Sequence, residues 1–299
     1  MTELERYLFD LNGYLVLPGA LASQEVDEIN AVMDRVLHDW HVKAKAGHII
    51  TGLDEAAAKE ENADPTHNYV GFYSGRLLDW GAPLRKLVGH DKILPYMIEL
   101  IGPTLRLDHQ YAILMRAKPA SVGHGLHGGG TPYEPVHSYH FRDGRFFSAL
   151  TAVSYALTDI PPGGGGFCVI PGSHKCSIPA PPHFWDIAHP PECIVHLPLR
   201  RGDAVIFTEA LMHGALPWVS EKDGERRALL FKYGPGHMQW EKQLQLPEGS
   251  YEWEEHQQFL LRPAYHRERE HIKWPPARQA KEHARSAAKA QVLPGFQNA

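Results

Sequence analysis

Cysteine is scarce in this sequence, and no pair of cysteines is spaced as CxxC. The three that occur, Cys168, Cys176 and Cys193, leave one unpaired in any disulfide scheme. A disulfide framework is therefore not expected, and a reducing cytosol is the default compartment. No run of 18 or more apolar residues occurs, which excludes an ordinary membrane-spanning helix. The opening "MTELERYLFDLNGY" is charged and has no apolar stretch of the kind a secretory signal needs. Nor does either charge sign dominate: 30 Lys and Arg face 35 Asp and Glu, a net charge of -5. That balance points to neither nucleic acid nor an anionic membrane as partner. A soluble, cytoplasmic protein acting on small molecules is expected.

Histidine is what the sequence has in excess, with 20 residues in 299. Imidazole suits metal ligation and proton chemistry, although most histidines in any chain serve surface or packing. The length allows a full core in one large domain or two small ones.

Along the chain, Asn12-Gly13 reads as a turn, Tyr14–Leu17 as a short strand, and the residues after Ser23 as a helix. Ser23 is a candidate N-cap, with Glu25 and Asp27 in the first turn. Val26, Ile29, Met33, Val36, Leu37 and Trp40 recur at helical spacing and form one apolar face. Residues 44–80 are polar and irregular, and Pro83–Ile101 reads as a second helix. From Leu105 the pattern changes to short apolar runs broken by Gly, Pro and Asp: "LRLDHQYAILMRAKP", "RFFSALTAVSYALTDI", "GFCVIPGSH", "ECIVHLPL", "DAVIFTEALMHG" and "RRALLFKYGPG". Punctuation of that kind marks antiparallel strands. Helices first and strands afterwards predict a mainly β sandwich or barrel with helices packed on one side. One domain is expected over 1–274, with helices in 1–104 and the β core in 105–240. The basic, Ala-rich stretch 275–299 reads as a tail.

The stretch "LHGGGTPYEPVHSYHFRDG" (126–144) concentrates histidines, carboxylates and glycines. Non-haem Fe(II) oxygenases hold iron with two histidines and a carboxylate, leaving positions open for a keto-acid and oxygen. An arginine then grips the far carboxylate of the keto-acid, because its planar fork matches that group. His127, His213 in "FTEALMHGALPW" and the arginines of "ERRALLFKY" occur in the right order for such a site.

Three segments resemble the phytanoyl-CoA dioxygenase family, the group that includes ectoine hydroxylase. They are "FDLNGYLVLPGALASQEVDEI", "VSYALTDIPPGGGGFCVIPGSHK", and "RRGDAVIFTEALMHGALPW" followed by "RRALLFKY". The resemblance spans about 17–240, and its middle segment is the most specific. It implies a double-stranded β-helix (jelly-roll) core, Fe(II) and 2-oxoglutarate as cofactors, and O2 with a small-molecule substrate as partners. It also implies that His213 is the distal iron ligand and that His127, eight residues after Pro119, is the proximal one. Arg226, seven residues before Tyr233, matches the 2-oxoglutarate arginine. Its neighbour Arg227 faces the other way, since alternate strand residues do. Gln110 is a candidate contact for keto-acid or substrate.

The sequence departs from the family at one decisive place. The family writes His-x-Asp, whereas this chain writes His127-Gly128-Gly129, and glycine has no side chain to ligate with. Three arrangements repair the gap. Water or chloride can sit beside Gly129, as in radical halogenases, which resemble this pattern. Glu134 or Asp143 can fold back as the third ligand, although Asp143-Gly144 also fits a hairpin turn. His137 or His140 can complete a three-histidine site. Two glycines after a ligand also permit close backbone approach. His174 in "PGSHK" reads as a brace for the Gly-rich turn, and His124 as a loop contact. Trp185, Trp218 and Trp240 read as packing residues. The expected activity is oxidation of an unactivated C–H bond, by hydroxylation or halogenation. A non-catalytic jelly roll with a degraded site is the alternative of another class.

Overall fold

The computed structural model describes residues 1–45, 69–72, 77–115, 123–187, 189–220, 224–242, 244–247, 249 and 251–274. The expected tail 275–299, most of the polar stretch 44–80 and Pro119 lie outside the described residues, as does the side chain of Trp40.

A first helix, α1 (Glu3–Asn12), precedes the turn read at Asn12-Gly13. Thr2 and Glu5 cap its start reciprocally: Glu5 N–H donates to Thr2 Oγ1 at 3.2 Å and Thr2 N–H to Glu5 Oε2 at 2.6 Å. Gly13 closes the end in a left-handed conformation, its N–H on Phe9 O, so the turn is the helix cap. Strand β1 (Tyr14–Leu17) follows, then α2 (Ser23–Lys45). Ser23 is already helical, and the expected cap is replaced by Glu25, which accepts the Ala22 N–H at 2.7 Å. Val26, Ile29, Met33 and Leu37 are buried, as their spacing requires.

The expected long helix Pro83–Ile101 is two pieces, Ala82–Arg85 and Leu94–Ile101. The chain turns between them, where the Tyr233 hydroxyl accepts the Gly89 N–H at 3.0 Å. A side chain inserted into the hydrogen-bond ladder is a known cause of such breaks.

The remaining strands are β2 (Tyr69–Phe72), β3 (Arg106–Met115), β4 (His124–His127), β5 (Tyr139–Arg142), β6 (Arg145–Ser148), β7 (Thr151–Ala156), β8 (Gly166–Val169), β9 (Val195–His196), β10 (Ala204–Thr208), β11 (His213–Leu216) and β12 (Arg226–Gly234). They form an antiparallel six-stranded sheet, β1-β10-β7-β12-β3-β2, and a four-stranded sheet, β4-β11-β8-β9, with β5-β6 as a separate hairpin. The core is mainly β, in two sheets with helices on one side, as expected from the punctuated apolar runs.

The large sheet has two buried faces. On β12, Leu229, Phe231 and Tyr233 pack into the core shared with α2 and the helix Leu94–Ile101. Leu230 faces the other way, toward Phe167, Val169, Phe207 and Ala215 between the sheets. That second face holds the site. The segment after β12 returns over the helical side, where Gln257 donates to Val88 O at 3.2 Å and Arg269 to Thr104 O at 2.8 Å. Among the described residues no helix is long and apolar enough to cross a membrane.

Candidate metal centre

The antiparallel pairing of β4 with β11 sets His127 directly opposite His213. Directly opposed residues project to the same face, and the two ring centroids lie 4.1 Å apart. His127 Nδ1 contacts Gly125 O at 3.1 Å, and His213 Nδ1 contacts Leu211 O at 2.7 Å. A carbonyl only accepts, so each Nδ1 is the donor and each Nε2 keeps its lone pair. This is how metal-ligating histidines are oriented. Phe207 and Phe167 pack on His213 at 4.7 and 6.0 Å between centroids. Burial, followed by the neighbouring His127, holds the His213 pKa down at about 3, and burial also lowers that of His127. Both imidazoles are therefore neutral at pH 7, the form that binds metal.

The carboxylate beside them is Glu209, in the turn between β10 and β11. It is 4 % exposed. Its Oε2 accepts a hydrogen bond from Lys232 Nζ at 2.9 Å, while its Oε1 lies 4.0 Å from His213 Nε2 and accepts none. Burial pushes the carboxyl pKa up, but the Lys232 ammonium and then the two histidines hold it at about 2. One donor atom from each of His127, Glu209 and His213 lies within 4.8 Å of the others, and among the described residues these three form the group that could hold a metal ion. Two neutral imidazoles and one anionic oxygen, with that oxygen buried and without a hydrogen bond, suit a divalent transition metal such as iron. The chain fits the group.

The other third-ligand candidates stand elsewhere. Glu134 is half-exposed and contacts His137 at 3.5 Å. Asp143, at φ +53, is exposed in the tight β5–β6 turn with Gly144, so the hairpin reading of that pair is the right one. His140 is exposed and near Tyr133. His137 packs on Trp240 at 4.5 Å. None of them joins the cluster.

The glycines after His127 have a different task. Gly128, at φ +82, lies so close to the Glu209 turn that a Cβ there would meet Leu211 O at 2.5 Å and Glu209 O at 2.9 Å. Gly129 N–H donates to Ala210 O at 2.8 Å. A Cβ at Gly129 would meet the Met212 methyl at 3.4 Å. Met212 packs with Leu126 and Cys168, a cluster separate from the Phe207 side on which His213 lies. The loop gives up a side chain and docks on the turn that carries the carboxylate.

Arg226 and Arg227 face opposite ways. Arg227 points outward to the helical layer, bonded to Glu225 and, at 2.7 Å, to Asp34 of α2. Arg226 is buried on the inter-sheet face, with Nη1 3.2 Å from the Met115 sulfur. A Cβ at Gly166 would stand 2.7 Å from Arg226 Nε, so only glycine lets the arginine pass there. Gly166 pairs with Leu216, three residues along β11 from His213, a distance of roughly 10 Å on a strand.

Gln110 does not reach the centre. It pairs with Phe231 and shares its side of β3 with Ala112 and Leu114, which belong to the helix-side core. The inter-sheet face of β3 carries instead Met115, Ile113, Tyr111 and His109, the rings of the last two stacking at 6.0 Å. Lys232 Nζ lies 5.3 Å from the centre of the Tyr111 ring.

His174 donates from Nε2 to Asp10 O at 3.1 Å and packs on Tyr139, bracing α1 against the exit of β8. His124 stands edge-on to His127 at 5.1 Å. Trp218 is fully buried and bonded to Gly224 O, whereas Trp185 and Trp240 are about half exposed.

The family model for phytanoyl-CoA dioxygenase (PhyH) matches residues 9–228. The chain belongs to the phytanoyl-CoA dioxygenase family. It is 24% identical over 258 residues to peroxisomal phytanoyl-CoA dioxygenase of Mus musculus, covering 80% of this chain and 70% of that one. It is 23% identical over 228 residues to ectoine dioxygenase of Nocardia farcinica (strain IFM 10152), covering 69% and 70%. Among solved structures, HygX from Streptomyces hygroscopicus with nickel and 2-oxoglutarate bound aligns with a TM-score of 0.64 at 21% identity, over 80% of this chain and 89% of that one. That last likeness speaks to the fold, which is the jelly roll of this family.

Two residues of the centre escape a motif reading, Glu209 and Lys232. Their signal in sequence is a lone acid inside "AVIFTEALMHG" and a lone base inside "ALLFKYG". A single charge in an apolar strand must find a partner when buried, and these two find each other.

Proposed function

We propose that the chain is an Fe(II)- and 2-oxoglutarate-dependent oxygenase that oxidises an unactivated C–H bond of a small molecule, by hydroxylation. The observation that carries this reading is the cluster of His127, Glu209 and His213, with Arg226 buried on the same inter-sheet face. The two Nε2 atoms and Glu209 Oε1 would hold the metal. Arg226 would pair with the far carboxylate of 2-oxoglutarate; its fork suits that group, and the strand spacing from His213 leaves room for a five-carbon diacid. Iron with the keto-acid and O2 supplies the oxidising power, and the keto-acid leaves as succinate and CO2. The protein orients the reactants, and the phenylalanines around His213 keep water from the metal side. The binding of nickel and 2-oxoglutarate by HygX, on the same fold, supports this reading.

Halogenation was the competing reading, because Gly129 leaves the family's carboxylate position bare. Glu209 answers it. An anionic oxygen stands beside both histidines, so as a metal ligand it would take the place a halide needs, which favours insertion of oxygen. The test is iron-dependent release of succinate from 2-oxoglutarate, with and without chloride. Release in the wild type that is lost in His213→Ala and unaffected by chloride is expected. No release under any condition would overturn the reading in favour of a non-catalytic jelly roll.

A further inference from the structure

We propose that Lys232 is the positioning residue of the metal centre: it holds one oxygen of Glu209 so that the other is presented to His127 and His213. The inference rests on the metal reading above and adds a residue outside the ligand set.

The need for such a residue follows from where the carboxylate comes from. A ligand two residues after His127 would be fixed by the same strand end as the histidine. Glu209 instead enters from the turn before β11 and carries one more rotatable bond than aspartate, so its carboxylate has more freedom to lose. A preorganised ligand must be held by its neighbours. The described hydrogen bond to the Glu209 carboxylate is the one from Lys232, and it goes to Oε2 alone. Lys232 is itself well fixed. It lies inside the large sheet, between β3 and β7, where it pairs with His109 and Ala152. It is 7 % exposed, and its ammonium lies against the Tyr111 ring. The pair also explains how a carboxylate can wait in an apolar interior before metal arrives, since an ammonium 2.9 Å away offsets its charge. With Oε2 so occupied, Oε1 is the oxygen Glu209 would offer a metal.

The test is Ni(II) titration of the metal-free full chain as wild type, Lys232→Met, Lys232→Arg, Glu209→Gln and the double variant Lys232→Met/Glu209→Gln, with the Co(II) absorption spectrum recorded at saturation. Lys232→Met keeps the length and apolar fit but cannot donate, and it is expected to weaken Ni(II) binding about tenfold or more and to alter the Co(II) spectrum. Lys232→Arg is expected to restore both to near wild type. The double variant is expected to bind no more weakly than Glu209→Gln alone, because Lys232 acts only through Glu209. A purely structural role would lower thermal stability and leave the saturated spectrum unchanged. The proposal is overturned if Lys232→Met binds Ni(II) like wild type with an unchanged spectrum, or if its loss adds in full to that of Glu209→Gln. If Glu209→Gln itself binds like wild type, the carboxylate is no ligand and the role of Lys232 falls with it. A wild type that takes up no Ni(II) would overturn the metal reading itself.

Discussion

Two stretches meet at the centre, and they have exchanged roles relative to the family pattern. Leu126–Gly130 is where the motif places its carboxylate, and it carries none. Thr208–His213 is where the motif needs only a histidine, and it carries both histidine and carboxylate. The first stretch has become backbone: Gly128 and Gly129 nest on the second, through the Gly129 N–H and the close approach to Leu211 O and Glu209 O. What a metal centre needs is a donor set in space, and a sheet can supply one donor from either of two adjacent strands. His127 and His213 must stay in register on β4 and β11. The carboxylate only has to reach them, and Glu209 brings Oε1 to 4.0 Å from His213 Nε2 while its Oε2 is bonded to Lys232.

The comparison is broken most severely by removing a residue both stretches depend on. His127→Ala or His213→Ala is expected to lower Ni(II) affinity by at least roughly 100-fold, more than the loss of a supporting contact. Calorimetric titration checks this, and wild-type-like binding in either variant would remove that histidine from the ligand set. Next in size is the arginine pair. Arg226→Ala is expected to cost about 2–5 kcal/mol of 2-oxoglutarate binding. Arg227→Ala, which removes only partly exposed ion pairs to Asp34 and Glu225, should change that affinity little and stability by about 1 kcal/mol or less. Equal effects in the two variants would contradict the opposed faces of β12.

Gly128→Ala sharpens the comparison from the backbone side. The position is at φ +82 and a Cβ would sit 2.5 Å from a carbonyl oxygen, so about 2 kcal/mol or more of stability should be lost. Denaturant unfolding reads this directly, and an unchanged midpoint would mean the loop is not docked on the Glu209 turn.

A smaller effect belongs to His174, whose pKa burial and then Lys175 depress to about 4. Its folded pKa lies below the unfolded value, so the unfolded state takes up the proton first as pH falls. Stability is then full above about pH 6.5 and declines toward pH 4, by about 1–2 kcal/mol between pH 7 and pH 5 from this group. His174→Gln should flatten that slope in unfolding curves measured across the window; an unchanged slope would assign it to other groups.

The strands of the β core were legible because apolar runs broken by Gly, Pro and Asp carry the register of an antiparallel sheet locally. The opposed faces of Arg226 and Arg227 were legible because alternation along a strand decides them, whereas His127 and His213 were singled out by the family resemblance, and β4–β11 pairing sets them opposite each other. The break between Arg85 and Leu94 was not read, although Gly89, at φ +65, marks it locally; the Tyr233 hydroxyl that accepts the Gly89 N–H comes from far along the chain. Nor was the side of β3 that Gln110 occupies. β3 pairs irregularly with β12 next to Lys232, and such a shift reverses which residues face the core. Glu209 was hidden because a short motif looks near its first histidine, whereas this carboxylate is brought in by the pairing of β4 with β11.

The most direct measurement is Ni(II) affinity of wild type and Glu209→Ala, each with and without chloride. The wild type should be indifferent to chloride, because its anionic position is filled by Glu209. Glu209→Ala should bind at least about tenfold more weakly and recover in part with chloride, since the vacated position lies beside the Lys232 ammonium and a small anion is welcome there. A chloride-sensitive wild type, or a Glu209→Ala variant that binds Ni(II) as well as wild type, would contradict the placement of the carboxylate on the β10–β11 turn.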